Sequence, residues 1–230
     1  MFTLDQVVLW GRSFDEYRRM FALSDSDLQL RIVGCGDGPA SFNAESTRRG
    51  ASVVSCDPIY KWDGRAIRNR IEATYDQMLE QTRLNTDEFV WDSIHSVEAL
   101  GQIRMAAMRA FLDDYDRGKV ERRYIEAELP HLPFDDAAFD LALCSHFLFL
   151  YTTQLGEMFH QSAIREMCRV ATEVRIFPLL ALGGRRSSYV DASSNELKAN
   201  GYTVSQERVP YEFQRGGNEM LRIRKPRRDG

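Results

Sequence analysis

The sequence lacks the features that mark membrane, secreted and nucleic-acid-binding proteins. It has no apolar run of about 18 residues, and its first residues lack the basic, apolar and cleavage regions of a signal peptide. No linker, internal repeat or low-complexity tract interrupts it. The net charge of −4 and the pI near 5.7 provide no positive field that would attract nucleic acid or an anionic membrane. We therefore expect a cytoplasmic protein without these partners; the sequence does not indicate its oligomeric state.

The cysteines are too few and too scattered to form a disulfide framework or a zinc site. Cys35, Cys56, Cys144 and Cys168 include no CxxC pair, and no histidine cluster lies near them in sequence. We expect reduced, mostly buried thiols and no bound metal.

The composition is typical of a folded protein. Hydrophobic residues make up 43% and charged residues 28% of the 230 residues, which excludes a disordered or a collagen-like chain. This length fits one domain, or at most two small ones, with roughly 70–75% of the unfolded surface buried. We expect a single domain over 1–230.

Strand patterns alternate with helix patterns along the chain. Alternating or short apolar runs predict strands at 28–33, 51–56, 123–129, 139–144, 174–180, 202–209 and 218–224. Amphipathic spacing and capping signals predict helices over the first twenty residues, 39–49, 63–84, 96–117, 154–170 and 191–200. This alternation predicts an α/β fold with a mostly parallel sheet and helices on both faces. The short turn at Gly216 and Gly217 pairs the last two strands antiparallel.

Two segments are candidates to cover a site. Residues 62–120 are a helical insertion where one short helix would suffice, and residues 1–25 are a predicted N-terminal helical cap. We expect both to lie at the sheet edge or over the carboxyl ends of its strands, where they exclude water and select the substrate. The alternative is that the insertion only enlarges the domain or makes a dimer contact.

A glycine-rich loop and an acidic residue end the first two predicted strands. Glycines at residues 34–38 (GCGDG) permit positive φ and close approach of the backbone to a ligand. Asp57, 19 residues after Gly38, ends the second strand, where a carboxylate can accept bonds from vicinal ribose hydroxyls. The alternatives are a tight structural turn and a cap ahead of Pro58.

The loop departs from two other nucleotide-binding patterns. A dinucleotide fingerprint requires Gly or Ala where this chain has Pro39. No Lys-Ser or Lys-Thr follows the loop, which excludes a phosphate-binding P-loop.

Residues 32–38 (IVGCGDG), Asp57 and residues 132–141 (LPFDDAAFDL) together resemble the class I S-adenosylmethionine-dependent methyltransferases. The resemblance covers about residues 28–180. It implies a Rossmann-like seven-stranded sheet whose seventh strand is antiparallel and lies between the fifth and the sixth. It also implies S-adenosylmethionine as the cofactor.

The resemblance assigns cofactor-binding roles to residues after four strands. Those that would contact the methionine and ribose portions are Gly34, Cys35, Gly36 and Asp57. Those that would lie near the adenine are Pro58, Glu128 and Leu129. Ser145 and His146 would face the sulfonium and the substrate. One departure is Ile32, because the family usually has an acid there, so the cofactor's amino group must be anchored elsewhere or more weakly.

His146 is the candidate general base, because it follows a central strand and its ordinary pKa suits a base at neutral pH. The alternative is a histidine that packs beside the cofactor without proton transfer. Tyr151 and His160 are weaker candidates. Phe147, Phe149 and Tyr151 form either an apolar wall of the site or part of the core.

The sequence thus favours a methyltransferase acting on a small-molecule substrate. The fourth strand is not followed by Asn/Asp-Pro-Pro-Tyr, which by the resemblance argues against methylation of nucleic-acid base amines. Two alternatives stay open. One is a non-catalytic binding or scaffold protein, motivated by Ile32, and the other is a nicotinamide-dependent oxidoreductase, which Pro39 disfavours.

Overall fold

A single seven-stranded sheet organises the chain, in a computed structural model that describes residues 8–226. The strands are β1 (Arg31–Cys35), β2 (Ser52–Cys56), β3 (Tyr124–Ile125), β4 (Phe139–Ser145), β5 (Ala171–Phe177), β6 (Thr203–Arg208) and β7 (Glu219–Arg224). Their order is β3-β2-β1-β4-β5-β7-β6, and the first five in this order run parallel. β7 is antiparallel to both β5 and β6. This topology confirms the predicted Rossmann-like sheet of seven strands, with the seventh antiparallel between the fifth and the sixth.

Six α-helices in the described part of the chain surround the sheet. They are α1 (Phe14–Met20), α2 (Phe42–Arg48), α3 (Gly64–Leu84), α4 (Val97–Val120), α5 (Glu157–Val170) and α6 (Tyr189–Ala199). The capping box at the start of α1 forms as predicted, because Ser13 Oγ accepts from the Glu16 amide and Glu16 accepts from the Ser13 amide. Within residues 8–226, no helix combines the length and the apolar character needed to cross a membrane.

The central strands are buried on both faces, so alternate side chains enter two separate cores. Val33 and Ala142 pack with α5 and α6 on one face. Ile32 and Leu141 pack with α1, α2 and α4 on the other. Ile32, which stands where an acid was expected, is therefore a core residue. The four cysteines are buried free thiols, as predicted.

Several predicted boundaries are wrong. Residues 8–13 are not helical, and residues 1–7 of the predicted N-terminal helix lie outside the described residues. The strand predicted at 28–33 begins only at Arg31, after a 3₁₀ turn. The strand predicted at 123–129 keeps two residues, because only Tyr124 and Ile125 pair with β2. The alternating sequence pattern extends to residue 129, but β2 ends at Cys56, so pairing stops at Ile125.

The helical insertion has two layers. α4 contacts α2 and β3 and so covers the sheet itself, and α3 packs on α4. Gly101 of α4 allows this close contact, because a Cβ there would lie 2.4 Å from the Tyr75 hydroxyl of α3. α4 thus lies against the edge strand β3, and its Leu100 also packs in the core that contains Ile32 and Leu141. It is α3 and the loop after it that reach toward the strand ends.

Candidate active site

A cavity of about 520 Å³ lies at the carboxyl ends of β1, β2 and β4, where open α/β sheets bind ligands. Eight of the nine predicted site residues line it: Cys35, Gly36, Asp57, Pro58, Glu128, Leu129, Ser145 and His146. The ninth, Gly34, lies within β1 and is not among the lining residues. A Cβ on Gly34 would lie 1.8 Å from the Asp37 carboxylate, so this glycine makes room for Asp37.

The glycine loop adopts the conformation that its residues favour. Gly36 and Gly38 have φ of 71° and 53°, a region that L side chains rarely adopt. The Gly36 amide donates to the Cys56 carbonyl at 2.9 Å, which ties the loop to the end of β2. A Cβ on Gly36 would approach the Phe147 ring to 3.1 Å. The loop therefore presents its backbone, free of side-chain bulk, to the cavity.

Asp57 connects the two strand ends. One carboxylate oxygen accepts from the Gly38 amide at 2.8 Å, and the other accepts from the Ile59 amide at 2.9 Å. Asp57 thus caps the following turn, which was the structural alternative, and also lines the cavity. Burial raises its pKa to about 6 despite these two bonds. Each oxygen keeps a further lone pair for a ligand hydroxyl.

Asp37 is a site residue that the sequence analysis missed. Its carboxylate accepts from the Tyr17 hydroxyl at 2.8 Å and from the Ser55 hydroxyl at 2.6 Å, and it lines the same cavity. Burial raises its pKa to about 6. The signal in the sequence was an acid between two loop glycines, Gly36 and Gly38.

A flat apolar region lies beside Asp57. Ile59, Leu129 and Leu132 are buried side chains that line the cavity there, together with Pro58. Glu128 lies next to Leu129 and is exposed. This arrangement suits a planar base with a polar edge toward solvent.

His146 lies where the sequence predicted it, but its electrostatic environment differs. Its φ is +50°, and its Nδ1 lies 3.0 Å from Ser145 Oγ. Burial and the charges of Arg12 and Arg104 hold its pKa well below 6.5. The imidazole is therefore neutral at physiological pH, and it is a weaker base than its ordinary pKa suggested.

A second cavity of about 110 Å³ adjoins the first, and Val8, Trp10, Arg12, His146 and Tyr151 line both. Its other walls come from the insertion and from the loops after β4, β5 and β6: Met78, Thr82, Glu88, Phe89, Leu100, Leu150, Leu182, Phe213 and Gln214. The insertion thus contributes directly to a chamber behind His146.

His160, one of the two weaker candidates, is structural, and Phe149 is part of the core. Both ring nitrogens of His160 lie 2.9 Å from backbone carbonyls, those of Gly156 and Leu148, and His160 is fully buried. Phe149 stacks on His160 in the core. Phe147 and Tyr151 line the first cavity.

Comparison with known proteins gives one close relative. The uncharacterized protein MJ0045 of Methanocaldococcus jannaschii is 34% identical over 223 residues, which are 96% of this chain and 98% of that protein. The chain belongs to the family of this protein. No protein-family model matches it.

Solved structures with a similar arrangement are more distant in sequence. Magnesium protoporphyrin IX methyltransferase of Synechocystis PCC 6803, solved with bound SAM, is 12% identical, with a TM-score of 0.46 and coverage of 92% of this chain and 90% of that one. The 1,6-didemethyltoxoflavin-N1-methyltransferase of Burkholderia thailandensis is 14% identical, with a TM-score of 0.44 and coverage of 86% and 71%.

Proposed function

We propose that the protein transfers a methyl group from S-adenosylmethionine to a small-molecule acceptor. The observation that supports this most is the pair of joined cavities. The larger one combines the positive-φ loop with Asp37 and Asp57. The smaller one is lined mainly by apolar side chains, with Arg12 among its polar ones, and meets the larger one at His146.

The residues of the larger cavity fit this cofactor in order along the sheet edge. Asp57 accepts from the ribose hydroxyls through its remaining lone pairs. Pro58, Ile59 and Leu129 enclose the adenine, and Glu128 lies at its polar edge. Gly36 offers backbone against the methionine portion. Asp37 supplies, from the loop, the carboxylate that Ile32 does not, and it is the candidate anchor for the ammonium group.

Methyl transfer requires mainly that the acceptor is positioned in line with the methyl group and that water is excluded from the site. When bound, S-adenosylmethionine supplies a methyl group on a positively charged sulfur. Trp10 and Tyr151 line both cavities, and they hold the acceptor in line and exclude water. Nδ1 of His146 engages Ser145, so Nε2 is the nitrogen that faces an acceptor. The neutral imidazole orients an acceptor O–H or N–H and takes its proton as the bond to carbon forms.

Calorimetric titration of the purified protein with S-adenosylmethionine, S-adenosylhomocysteine and NAD tests the proposal. We expect the first two to bind and NAD not to bind. Incubation of a fractionated metabolite extract with methyl-labelled cofactor should then give a labelled small molecule. Binding of NAD alone would refute the proposal. Binding of S-adenosylhomocysteine without any labelled product would favour the non-catalytic alternative.

A further inference from the structure

Two arginines and one glutamate meet beside the chamber behind His146. Arg12 lines both cavities. Arg104 of α4 is fully buried, and Glu16 of α1 is 2% exposed. The cluster is built from elements that are distant in sequence, and it carries two positive charges for one negative charge.

The glutamate is already well supplied with donors. One Glu16 oxygen accepts from Arg104 Nη1 at 2.5 Å and from the Ser13 amide at 2.9 Å. The other accepts from the Tyr211 hydroxyl at 2.8 Å. Glu16 therefore neutralises Arg104 but has little capacity left for Arg12.

Three guanidinium nitrogens of this cluster lack a well-aligned acceptor within residues 8–226. Arg12 donates from Nη1 to the Trp10 carbonyl at 2.7 Å. Nε of Arg12 and both Nε and Nη2 of Arg104 are buried without such an acceptor, although the Tyr211 hydroxyl lies near the Arg104 side chain. Buried donors of charged groups are normally satisfied, because leaving them unpaired is costly. Arg104 is not among the residues that line either cavity, so Arg12 is the arginine whose guanidinium a ligand in the chamber can reach.

The electrostatics around Arg12 also favour an anionic ligand. Burial, followed by the charge of Arg104, lowers the pKa of Arg12 to about 10. The same two arginines lower the pKa of His146, which lies between the cavities. Glu88 also lines the chamber, from the loop after α3. Within the cluster itself, Glu16 pairs with Arg104, so the remaining positive charge is that of Arg12.

We propose that the methyl acceptor is a small apolar carboxylic acid, held through its carboxylate by Arg12 with Arg104 behind it. This inference rests on the proposed function. The apolar body lies against Phe89, Leu100 and Phe213. A carboxylate matches the single excess positive charge and the forked donors of a guanidinium. Because Arg12 lines both cavities, the anchored acid has its reacting atom near His146.

The test titrates the protein, saturated with S-adenosylhomocysteine, with matched probes. The pairs are benzoate with benzamide and acetate with acetamide, which differ mainly in charge, and phenyl phosphate is a third anion. We expect benzoate to bind at least tenfold more tightly than benzamide. Arg12→Gln should abolish the preference, whereas Arg12→Lys should keep part of it. Arg68→Gln, which removes an exposed arginine of α3, is the matched control and should keep all of it.

A second readout uses the wild type, so that a folding defect in Arg12→Gln cannot produce it. Nuclear magnetic resonance titration of His146 should show a higher pKa with benzoate bound than without it, because the carboxylate offsets the charge of Arg12. If both acids bind no better than their amides while S-adenosylhomocysteine binds, this inference is wrong and the proposed function stands. If the wild type does not bind S-adenosylhomocysteine, the proposed function is wrong. Tighter binding of phenyl phosphate than of benzoate would overturn the assignment to a carboxylate.

Discussion

Two buried carboxylates set the electrostatics of the larger cavity. Asp37 and Asp57 both have a pKa raised to about 6, and burial is the main cause in each. In the folded protein, both groups hold a proton at a pH where the unfolded chain has already released it. The charged site therefore costs stability at neutral pH, a common compromise at functional sites.

Ionisation of buried Asp37 lowers the free energy of unfolding, so Asp37→Asn should change how that free energy depends on pH. The folded pKa is about 6 and the ordinary value is 3.8. The stability of the wild type therefore falls as pH rises through this window, by up to about 3 kcal/mol. Asparagine does not titrate, so the variant should gain stability relative to the wild type between pH 4.5 and 7.5. Urea unfolding at several pH values measures this gain. Asp113→Asn, at an exposed position of α4, is the control variant. A difference between Asp37→Asn and the wild type that stays constant with pH would contradict the prediction.

Asp57→Ala should weaken S-adenosylhomocysteine binding at least tenfold. The variant loses two hydrogen bonds to a charged acceptor, each worth about 1.5–3 kcal/mol. Because the wild-type pKa is about 6, affinity should be constant above pH 7 and fall as the carboxylate is protonated below pH 6. Calorimetry of both proteins between pH 5 and 8 tests both expectations. Unchanged affinity in the variant would remove Asp57 from the site.

The sequence could predict some of these residues because their position follows from local patterns. Their positions directly after predicted strands identified Gly36, Asp57 and His146. The roles of Asp37 and Arg104 depend on residues far away in sequence. The partner of Arg104 is Glu16, 88 residues away, and the low pKa of His146 arises from that same cluster. No spacing rule contains such information.

At the scale of elements, the two helices of the insertion, α3 and α4, pack closely together at Gly101. Gly101 lets α3 approach α4, and α3 then contributes Met78 and Thr82 to the second cavity. The amphipathic period predicted both helices within a few residues, because each buries a single stripe. It could not predict which helix covers the sheet. A helix was wrongly predicted over residues 8–13. A single glycine, Gly11, was the main sign of a different structure there: a Cβ at this position would lie 2.2 Å from the Pro39 carbonyl oxygen.

Gly101→Ala should loosen α3 and leave cofactor binding intact. The added methyl group would overlap the Tyr75 hydroxyl and crowd Leu79, at 2.4 Å and 3.0 Å. This overlap should outweigh the gain in helix propensity of about 1 kcal/mol. Hydrogen exchange in α3 should become faster, and affinity for S-adenosylhomocysteine should change less than threefold. Gly64→Ala is the matched control, since its nearest contact would be an ordinary 3.4 Å. Equal exchange in the two variants would show that the contact is not needed.

At the scale of the whole molecule, the loops that enclose the second cavity are joined to one another. The Val90 amide donates to the Phe213 carbonyl at 2.7 Å, and the Arg215 amide donates to the Glu88 carbonyl at 2.8 Å. The Phe89 and Phe213 rings stack with centroids 4.9 Å apart. The insertion and the β6–β7 loop thus form one continuous wall opposite the sheet edge. Segment 8–13 lies over the glycine loop, where the Ser41 amide donates to the Arg12 carbonyl at 3.0 Å.

This connected wall predicts a change in hydrogen exchange that extends beyond the cofactor site. Binding of S-adenosylhomocysteine should slow exchange at 34–40, 57–60 and 128–130 through direct contact. If residues 1–25 and the insertion act as a cap, exchange should also slow at 5–21, of which 5–7 lie outside the described residues, and around 85–95. The bonds to Phe213 and Arg215 extend the expected protection to 211–216.

The control separates closure of the wall from a general gain in stability. Exposed residues of α6, remote from both cavities, should exchange at the same rate with and without S-adenosylhomocysteine when opening is local. Uniform slowing everywhere would indicate only that ligand binding stabilises the whole fold by mass action. Protection restricted to 34–40, 57–60 and 128–130 would show that the wall does not respond to the cofactor. The insertion would then serve a purpose other than closing the site, such as a contact with a second copy of the chain.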